Sequence, residues 1–279
     1  MIIDAHTHIY PQKIAAKAIA KLEARSGVPA QVNGLKDGLC ASMKEAGIDY
    51  SLLLPVATSA KQVDVINEEA ARTNAQAEEN RLFSFAGIHP ETENYKEVLR
   101  RVKALGLKGI KLHPDYQDAF FNDIRYKRIV QEATELGLYM IVHAGEDIGL
   151  PDPIHCRPEH VLDVVKDTQS DKIILAHMGG WRLWEEVKEK LVEAPVYFDS
   201  SFSQDYISGV SGLLSREEFV AMVRRIGANR ILFGTDSPWS GQKDGVEWIK
   251  QTALTQEEKE QIFHKNFERL FLGREGALC

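Results

Sequence analysis

The sequence predicts an α/β fold, a single (β/α)8 TIM barrel over residues 1–279, because short apolar runs and helical stretches alternate eight times. The length suits this fold, which usually takes about 250 residues, and no low-complexity segment divides the chain. A doubly wound open sheet is the alternative, but it requires a glycine-rich phosphate-binding turn after the first strand. The segment HTHIYPQK at that place contains no glycine, so the barrel is favoured.

Eight apolar runs bounded by turn residues are the predicted strands of the barrel. They are IIDAHTH (2–8), IDYSLLLP (48–55), LFSFAGIHP (82–90), GIKLHP (109–114), LYMIVHAG (138–145), KIILAHMGG (172–180), VYFDSS (196–201) and ILFGTDSP (231–238). Stretches between them have the spacing of apolar residues that is typical of helices. The clearest are residues 61–80, 95–105, 123–137, 157–168, 183–193 and 216–227.

Composition excludes several classes of protein. The net charge of −7 and the pI near 5.8 argue against nucleic acid or an anionic membrane surface as the main partner. The sequence has neither an apolar run of about 18 residues nor the basic and apolar segments of a signal peptide. Cys40, Cys156 and Cys279 form no CxxC pair, which favours a reduced, cytoplasmic protein without thiolate-bound zinc. A small-molecule substrate is the expected partner.

Histidines collect at the ends of the predicted strands, where the active site of a (β/α)8 barrel forms. His6 and His8 stand one residue apart, so they point to the same face of the first strand. Alone, such a short pair is more typical of two ordinary hydrogen-bonded histidines, so its interpretation depends on the residues of the other strands. Their ends contribute His89, Lys111, His113, His143, His177 and Asp236.

These residue types match the ligands of a divalent metal. Zinc prefers imidazole nitrogen and carboxylate oxygen, and manganese, iron and nickel also accept them. His6, His8, His143 and Asp236 are therefore the predicted ligands of one ion, with zinc as the expected metal. Such an ion lowers the pKa of its bound water from about 15.7 toward about 7, which produces a nucleophile. His177 is the predicted proton carrier, or the group that stabilises an oxyanion.

Five motifs in order carry a resemblance to a known family. They are DAHTH on the first strand, GIKLHP on the fourth, IVHAG on the fifth, LAHMGG on the sixth and LFGTDSPW on the eighth. They resemble the amidohydrolase superfamily and, more narrowly, the amidohydrolase-2 (amidohydrolase-related) family, whose members include aminocarboxymuconate-semialdehyde decarboxylase and related decarboxylases and hydrolases. The closing segment HKNFERLF (264–271) is similar to the last helix of that family, so the resemblance spans Asp4 to Leu270.

The resemblance assigns roles to individual residues. It implies the same four metal ligands and makes Asp236 a proton acceptor as well, while His177 becomes a catalytic residue or a ligand of a second metal. Some superfamily branches carboxylate a fourth-strand lysine that bridges two ions, and Lys111 stands at that place. The amidohydrolase-2 branch more usually holds one ion, so we expect one metal and an uncarboxylated Lys111 near the substrate. The superfamily also leans toward homodimers.

Four residues are predicted to bind substrate: Lys111, His113, Arg157 and Trp181. His113 precedes a proline, so it is equally well interpreted as the residue that closes the fourth strand. Arg157 begins a helix with proline in its first turn, and its guanidinium is placed for a substrate carboxylate or for a salt bridge to an acidic neighbour such as Glu159. Trp181 follows a pair of glycines and is predicted to line the mouth of the barrel.

Together these features predict an enzyme. The main expectation is a metal-dependent hydrolase that uses metal-activated water on a small amide, ester or lactone bearing a carboxylate. The alternative is a metal-dependent decarboxylase, a carbon–carbon lyase, of a small unsaturated or aromatic acid. A barrel that only binds is disfavoured because the full set of ligand-type residues is present.

Overall fold

Short strands alternate with helices throughout the computed structural model, which describes residues 1–273. The strands in this part of the chain are β1 (Ile3–Thr7), β2 (Tyr50–Leu53), β3 (Leu82–Ser84), β4 (Ala86–Gly87), β5 (Gly109–Leu112), β6 (Tyr139–Val142), β7 (Ile173–Leu175), β8 (Tyr197–Asp199) and β9 (Ile231–Leu232). Its α-helices are α1 (Ala15–Ser26), α2 (Lys36–Ala46), α3 (Val63–Ala75), α4 (Ala77–Asn80), α5 (Tyr95–Ala104), α6 (Ile124–Glu135), α7 (Pro158–Thr168), α8 (Trp184–Lys190), α9 (Arg216–Ile226), α10 (Gln242–Lys250) and α11 (Gln256–Glu260).

The chain divides into two units by its internal packing. The first unit comprises Met1–Leu53 together with the chain from Asp199 onward, and the second comprises Leu54–Phe198. Cys279, which the sequence analysis names, lies outside the described residues. Within residues 1–273, no helix has both the length and the apolar character needed to cross a bilayer. The single domain over residues 1–279 stays a prediction.

In the first unit, β1 is hydrogen-bonded to two neighbouring segments. It pairs in parallel with β2, where Ile3 lies opposite Tyr50. Its backbone also bonds to the segment after β9, since the amide of Ala5 donates to the carbonyl of Phe233 at 2.8 Å. All five residues of β1 are buried. The strand that carries the first predicted metal ligand is therefore fixed by its backbone and by its burial.

The second unit contains a parallel sheet in which β4, β5, β6, β7 and β8 follow one another in order. Lys111 on β5 lies opposite Ile141 on β6, and Ile141 lies opposite Ile174 on β7. Helix α6 packs on β6 and buries Ile129 and Val130 among other side chains. Parallel strands that are buried on both faces have nearly continuous apolar sequences, so these strands could be predicted from the sequence.

All eight predicted strands are present, but each is shorter than its apolar run. The ends of the runs leave the hydrogen-bonded ladder, and several of the functional side chains lie in these ends. The third predicted strand is interrupted and forms β3 and β4, and the helix predicted over residues 61–80 is divided into α3 and α4. Two helices, α1 and α2, follow β1 where one was expected.

Gly145 follows β6 and allows two backbone segments of the second unit to meet. Its φ is 90°, and a Cβ added to it would lie 2.0 Å from the amide nitrogen of Trp181. Gly145→Ala is therefore expected to cost more than the roughly 1–2 kcal/mol of left-handed strain alone. Gly137→Ala is the matched control, because Gly137 also has positive φ but its added Cβ meets only the flexible end of Lys103, at 3.7 Å. Urea unfolding measures both losses, and equal losses would contradict the expectation.

Candidate metal site

The first unit brings together three of the four predicted metal ligands, His6, His8 and Asp236. His6 lies on β1 and His8 follows it directly, while Asp236 lies in the segment after β9. Backbone hydrogen bonds fix these segments side by side, because the amide of Asp236 donates to the carbonyl of His6 at 2.8 Å. The amide of His8 donates to the carbonyl of Ser237 at 2.7 Å. The pairing of the backbone therefore places the three side chains at one spot.

The donor atoms of these side chains converge. Oδ1 of Asp236 lies 3.4 Å from Nε2 of His6 and 3.1 Å from Nε2 of His8. The two imidazole rings are 5.1 Å apart and inclined at 71°. Because the lone pair of an imidazole nitrogen lies in the ring plane, two inclined rings can direct their lone pairs at one ion. Asp236 has a φ of 69°, an uncommon backbone conformation for a residue other than glycine.

Asp199 and Ser201, which are not among the predicted site residues, contact the Nδ1 side of the His6 ring. Nδ1 of His6 lies 2.8 Å from Oδ2 of Asp199 and 3.0 Å from Oγ of Ser201. The side chains of His6 and Asp199 are buried. The sequence does carry a signal for Asp199, because it lies near the end of the seventh predicted strand (VYFDSS), as the proposed ligands lie near the ends of theirs.

This arrangement suits a cation. When Nδ1 of His6 carries the proton and donates it to Asp199, Nε2 carries a lone pair and faces the carboxylate of Asp236 at 3.4 Å. Two acceptor atoms at that distance repel each other unless a proton or a cation lies between them. Two imidazole nitrogens and one carboxylate oxygen are also a donor set that divalent zinc and manganese accept. The residues present therefore fit a divalent metal ion.

Asp4 supports the base of this site. Its carboxylate accepts hydrogen bonds from the amide and hydroxyl of Thr235, at 3.0 and 2.6 Å, and from the side chain of Gln242 at 2.8 Å. Burial raises the pKa of Asp4 to about 6, and these hydrogen bonds limit the rise. Asp4 therefore ties β1 to the segment that carries Asp236.

The fourth predicted ligand, His143, belongs to the second unit, where it lies in a group with His113 and Asp147. Nδ1 of His143 is 3.0 Å from Nε2 of His177, and Nε2 of His113 is 3.7 Å from Asp147. The two predicted catalytic or binding histidines, His113 and His177, are thus both neighbours of His143. Its role as a ligand stays a prediction.

The rings of His113 and His143 are stacked, with centroids 4.1 Å apart and planes inclined by only 7°. An ion placed between two stacked rings would lie above both ring planes, away from the lone pairs of the nitrogens. His113 and His143 therefore cannot both bind one ion in this arrangement, although their nitrogens and the carboxylate of Asp147 are close together. Within the part of the chain that is described, the group around His6 is the better metal site.

His177 has an unusual backbone. Its φ is 57°, and the φ of the next residue, Met178, is 55°. Two successive residues other than glycine in the left-handed region are strained, and such strain is common at functional sites. The carbonyl of His177 accepts a hydrogen bond from the indole of Trp184 at 3.1 Å. The position of the His177 imidazole is therefore determined by its tertiary environment, which agrees with a functional role.

The predicted substrate-binding residues have different surroundings, all within the second unit. Lys111 is buried on β5. Arg157 forms salt bridges with Glu159 at 3.0 Å and with Glu186 at 2.5 Å, as the alternative interpretation of this residue expected. Trp181 is buried, and its amide donates to the carbonyl of Ala144 at 2.9 Å. The assignment of these three residues to substrate binding stays a prediction.

Known proteins resemble the chain over most of its length. The model of the amidohydrolase family (Amidohydro_2) matches residues 3–272. The chain is 30% identical over 117 residues to gamma-resorcylate decarboxylase of Polaromonas sp. (strain JS666 / ATCC BAA-500), a match covering 36% of this chain and 34% of that protein. It is 28% identical over 248 residues to gamma-resorcylate decarboxylase of Rhizobium radiobacter, covering 75% of this chain and 74% of that protein. The first match thus spans only about a third of its relative.

Solved structures share the fold. A 5-carboxyvanillate decarboxylase from Novosphingobium aromaticivorans DSM 12444, complexed with manganese and 4-hydroxy-3-methoxy-5-nitrobenzoic acid, has a TM-score of 0.73 at 15% identity. The likeness covers 98% of this chain and 96% of that chain. A TIM-barrel protein from Bordetella bronchiseptica has a TM-score of 0.72 at 18% identity and covers 98% of this chain and 99% of its own. The predicted (β/α)8 barrel is confirmed.

These relatives correct one expectation. The prediction that the chain hydrolyses an amide, ester or lactone is wrong, because the two relatives described above are decarboxylases. The relatives support the prediction of an enzyme, and they favour the decarboxylase alternative. The donor set of this chain supports a divalent metal, whereas zinc stays a prediction.

Proposed function

The chain belongs to the amidohydrolase family, and from that premise we propose that it is a metal-dependent decarboxylase of a small aromatic acid. The substrate class is a benzoate with a hydroxyl group ortho to the carboxylate, the feature common to gamma-resorcylate and 5-carboxyvanillate. The observation that carries the proposal is the convergence of His6, His8 and Asp236 in a chain whose relatives are decarboxylases.

The metal is held by His6, His8 and Asp236, and the resemblance adds His143 to this set. Manganese is the first ion to test, because the Novosphingobium enzyme contains it, and zinc is the second. When bound, a divalent ion supplies positive charge that attracts the oxygens of the substrate and stabilises negative charge on them. Hydrogen bonding to Asp199 keeps the His6 lone pair directed at this position.

The reaction replaces a carboxylate by a proton. Asp236 accepts the proton of the substrate hydroxyl at a carboxylate oxygen and delivers it to the ring carbon that bears the carboxylate. The carbon–carbon bond then breaks, its electron pair returns to the ring and carbon dioxide leaves. The phenolate that remains takes a proton from water, so each turnover consumes one proton overall. Asp236 is therefore the proposed acid–base residue.

His177 is the proposed second proton carrier. Its Nε2 is 3.0 Å from Nδ1 of His143, so one of these two rings donates a hydrogen bond to the other. A histidine ring can both accept and donate a proton, which the proposed role requires. Lys111 is the proposed partner of the substrate carboxylate, and His113 and Trp181 are proposed to position the ring of the substrate.

Turnover of hydroxybenzoates tests the proposed function. The purified full-length protein is incubated with manganese and separately with 2,6-dihydroxybenzoate, 2-hydroxybenzoate and 4-hydroxybenzoate, and the phenols formed are measured by chromatography. We expect products from the two ortho-hydroxylated acids, none from 4-hydroxybenzoate and none after treatment with a chelator. Equal turnover with and without the chelator, or turnover of 4-hydroxybenzoate alone, would contradict the proposal.

A further inference from the structure

We propose that Asp199, together with Ser201, sets the affinity of the site for divalent cations by fixing the tautomer of His6. The inference rests on the cation site of the proposed function but not on the reaction that occurs there. Asp199 does not belong to the three converging donors, and it acts through His6. It is therefore a positioning residue.

The hydrogen bonds around Asp199 favour one arrangement of protons. Its Oδ1 accepts from the amide of Ser201 at 3.0 Å and from the hydroxyl of Ser201. Its Oδ2 lies 2.8 Å from Nδ1 of His6, and all three residues are buried. The 2.8 Å contact between Oδ2 of Asp199 and Nδ1 of His6 requires a proton between these two atoms, and we infer that Nδ1 carries it, since the amide and hydroxyl of Ser201 are directed at the other oxygen of the carboxylate.

The fixed tautomer removes a competitor of the cation. A neutral His6 with its proton on Nε2 would donate that proton to Asp236, whose Oδ1 is only 3.4 Å away. The proton would then occupy the position on Nε2 of His6 that the cation needs, and the hydrogen bond would occupy one lone pair of the Asp236 carboxylate. With the proton held on Nδ1 by Asp199, the bond cannot form and both ligand atoms remain acceptors. The contact with the buried carboxylate also fixes the orientation of the ring.

The amide in Asp199→Asn disturbs this arrangement in either orientation. If the amide nitrogen faces His6, it donates to Nδ1 and moves the proton to Nε2. If it faces Ser201, it meets the two donors of that residue. Ser201→Ala is the milder variant, because it removes the hydroxyl that contacts both Asp199 and His6 but leaves the contact between Asp199 and His6 in place. The matched control is Asp205→Asn, since Asp205 lies in the same segment but accepts from the indole of Trp248 at 2.7 Å.

The test measures Mn²⁺ binding to the purified full-length protein by electron paramagnetic resonance, with urea unfolding of each variant as a check of folding. We expect Asp199→Asn to weaken Mn²⁺ binding about 10- to 100-fold, the effect typical of a carboxylate behind a histidine ligand. Asp205→Asn should bind Mn²⁺ as the unmodified protein does, and Ser201→Ala should lie between them. Nitrogen-15 spectra of the histidine rings should show the proton of His6 on Nδ1 in the unmodified protein and on Nε2, or exchanging, in Asp199→Asn.

The outcomes separate this inference from the proposed function. If folded Asp199→Asn binds Mn²⁺ as tightly as the unmodified protein, or His6 keeps its tautomer, the inference is overturned. If the unmodified protein binds no divalent cation, the cation site of the proposed function fails instead. If binding weakens in Asp199→Asn while hydroxybenzoates are not turned over even by the unmodified protein, the inference stands and the proposed reaction fails.

Discussion

Asp236→Asn should lower the rate of decarboxylation by about 10² to 10⁴-fold, the usual effect of losing an acid–base residue. Asparagine cannot carry the proton from the substrate hydroxyl to the ring carbon. Its amide can also direct hydrogen atoms at Nε2 of His6 and of His8, which lie 3.4 and 3.1 Å from Oδ1 of Asp236. We therefore expect the loss of rate together with a lower metal content, measured by steady-state kinetics and elemental analysis.

Asp244→Asn is the control for this variant, because Asp244 is an exposed acidic residue in the first turn of α10. It should retain both activity and metal. If Asp236→Asn binds the metal normally and decarboxylates at the unmodified rate, Asp236 is neither ligand nor acid–base residue. If the metal content is normal but the full loss of rate is seen, Asp236 is an acid–base residue and not a metal ligand.

His177→Asn should cause a similar loss of rate, about 10² to 10⁴-fold, with a different metal content. His177 contacts His143 and lies outside the group formed by His6, His8 and Asp236. We therefore expect one full equivalent of metal per chain to be retained. Kinetics and elemental analysis of the same preparation measure the two quantities together.

His160→Asn is the matched histidine control. Nδ1 of His160 accepts from the amide of Arg157 at 3.3 Å, and the side-chain oxygen of asparagine can accept that hydrogen bond as well. This variant should keep its activity. If His177→Asn instead loses about half of a content of two ions, the site is binuclear, and Lys111 has to be reassigned as a carboxylated bridge between the ions.

The fold could be predicted because its strands are buried on both faces. Such strands are continuous apolar runs, and their alternation with helices is visible without any structure. Their exact ends were not predictable, since β9 covers only Ile231–Leu232 of an eight-residue run. The remaining residues of that run bond to β1 through an irregular backbone that depends on the positive φ of Asp236. Local sequence does not specify such a backbone.

The candidate site was predictable only in part. The spacing of His6 and His8 on one strand indicates that their side chains lie on the same face. The contact between His6 and Asp199 joins residues 193 positions apart, and no pattern in a single sequence reports such a pair. The salt bridges of Arg157 were predictable only for the partner that is near in sequence. Glu159 was anticipated, but Glu186 lies 29 residues away and was not. Side chains with two plausible partners need coordinates to be assigned.

The reaction was the least predictable property. Two imidazoles and a carboxylate around a cation serve hydrolysis and decarboxylation equally well, since both reactions develop negative charge on oxygen. The difference lies in whether water or a ring carbon reacts, which is a property of the substrate. Residue types at strand ends do not contain that information, and it came from the decarboxylases that the chain resembles.

The most direct test of the account follows the carboxyl group itself. The purified protein with manganese is given 2,6-dihydroxybenzoate labelled with carbon-13 in its carboxyl group, in deuterated water. The account predicts that labelled carbon dioxide appears in step with resorcinol that carries one deuterium at the ring carbon that lost the carboxylate, and that a chelator stops both. Intact labelled acid at high enzyme concentration, together with metal-dependent opening of an ester or lactone by the same preparation, would contradict it.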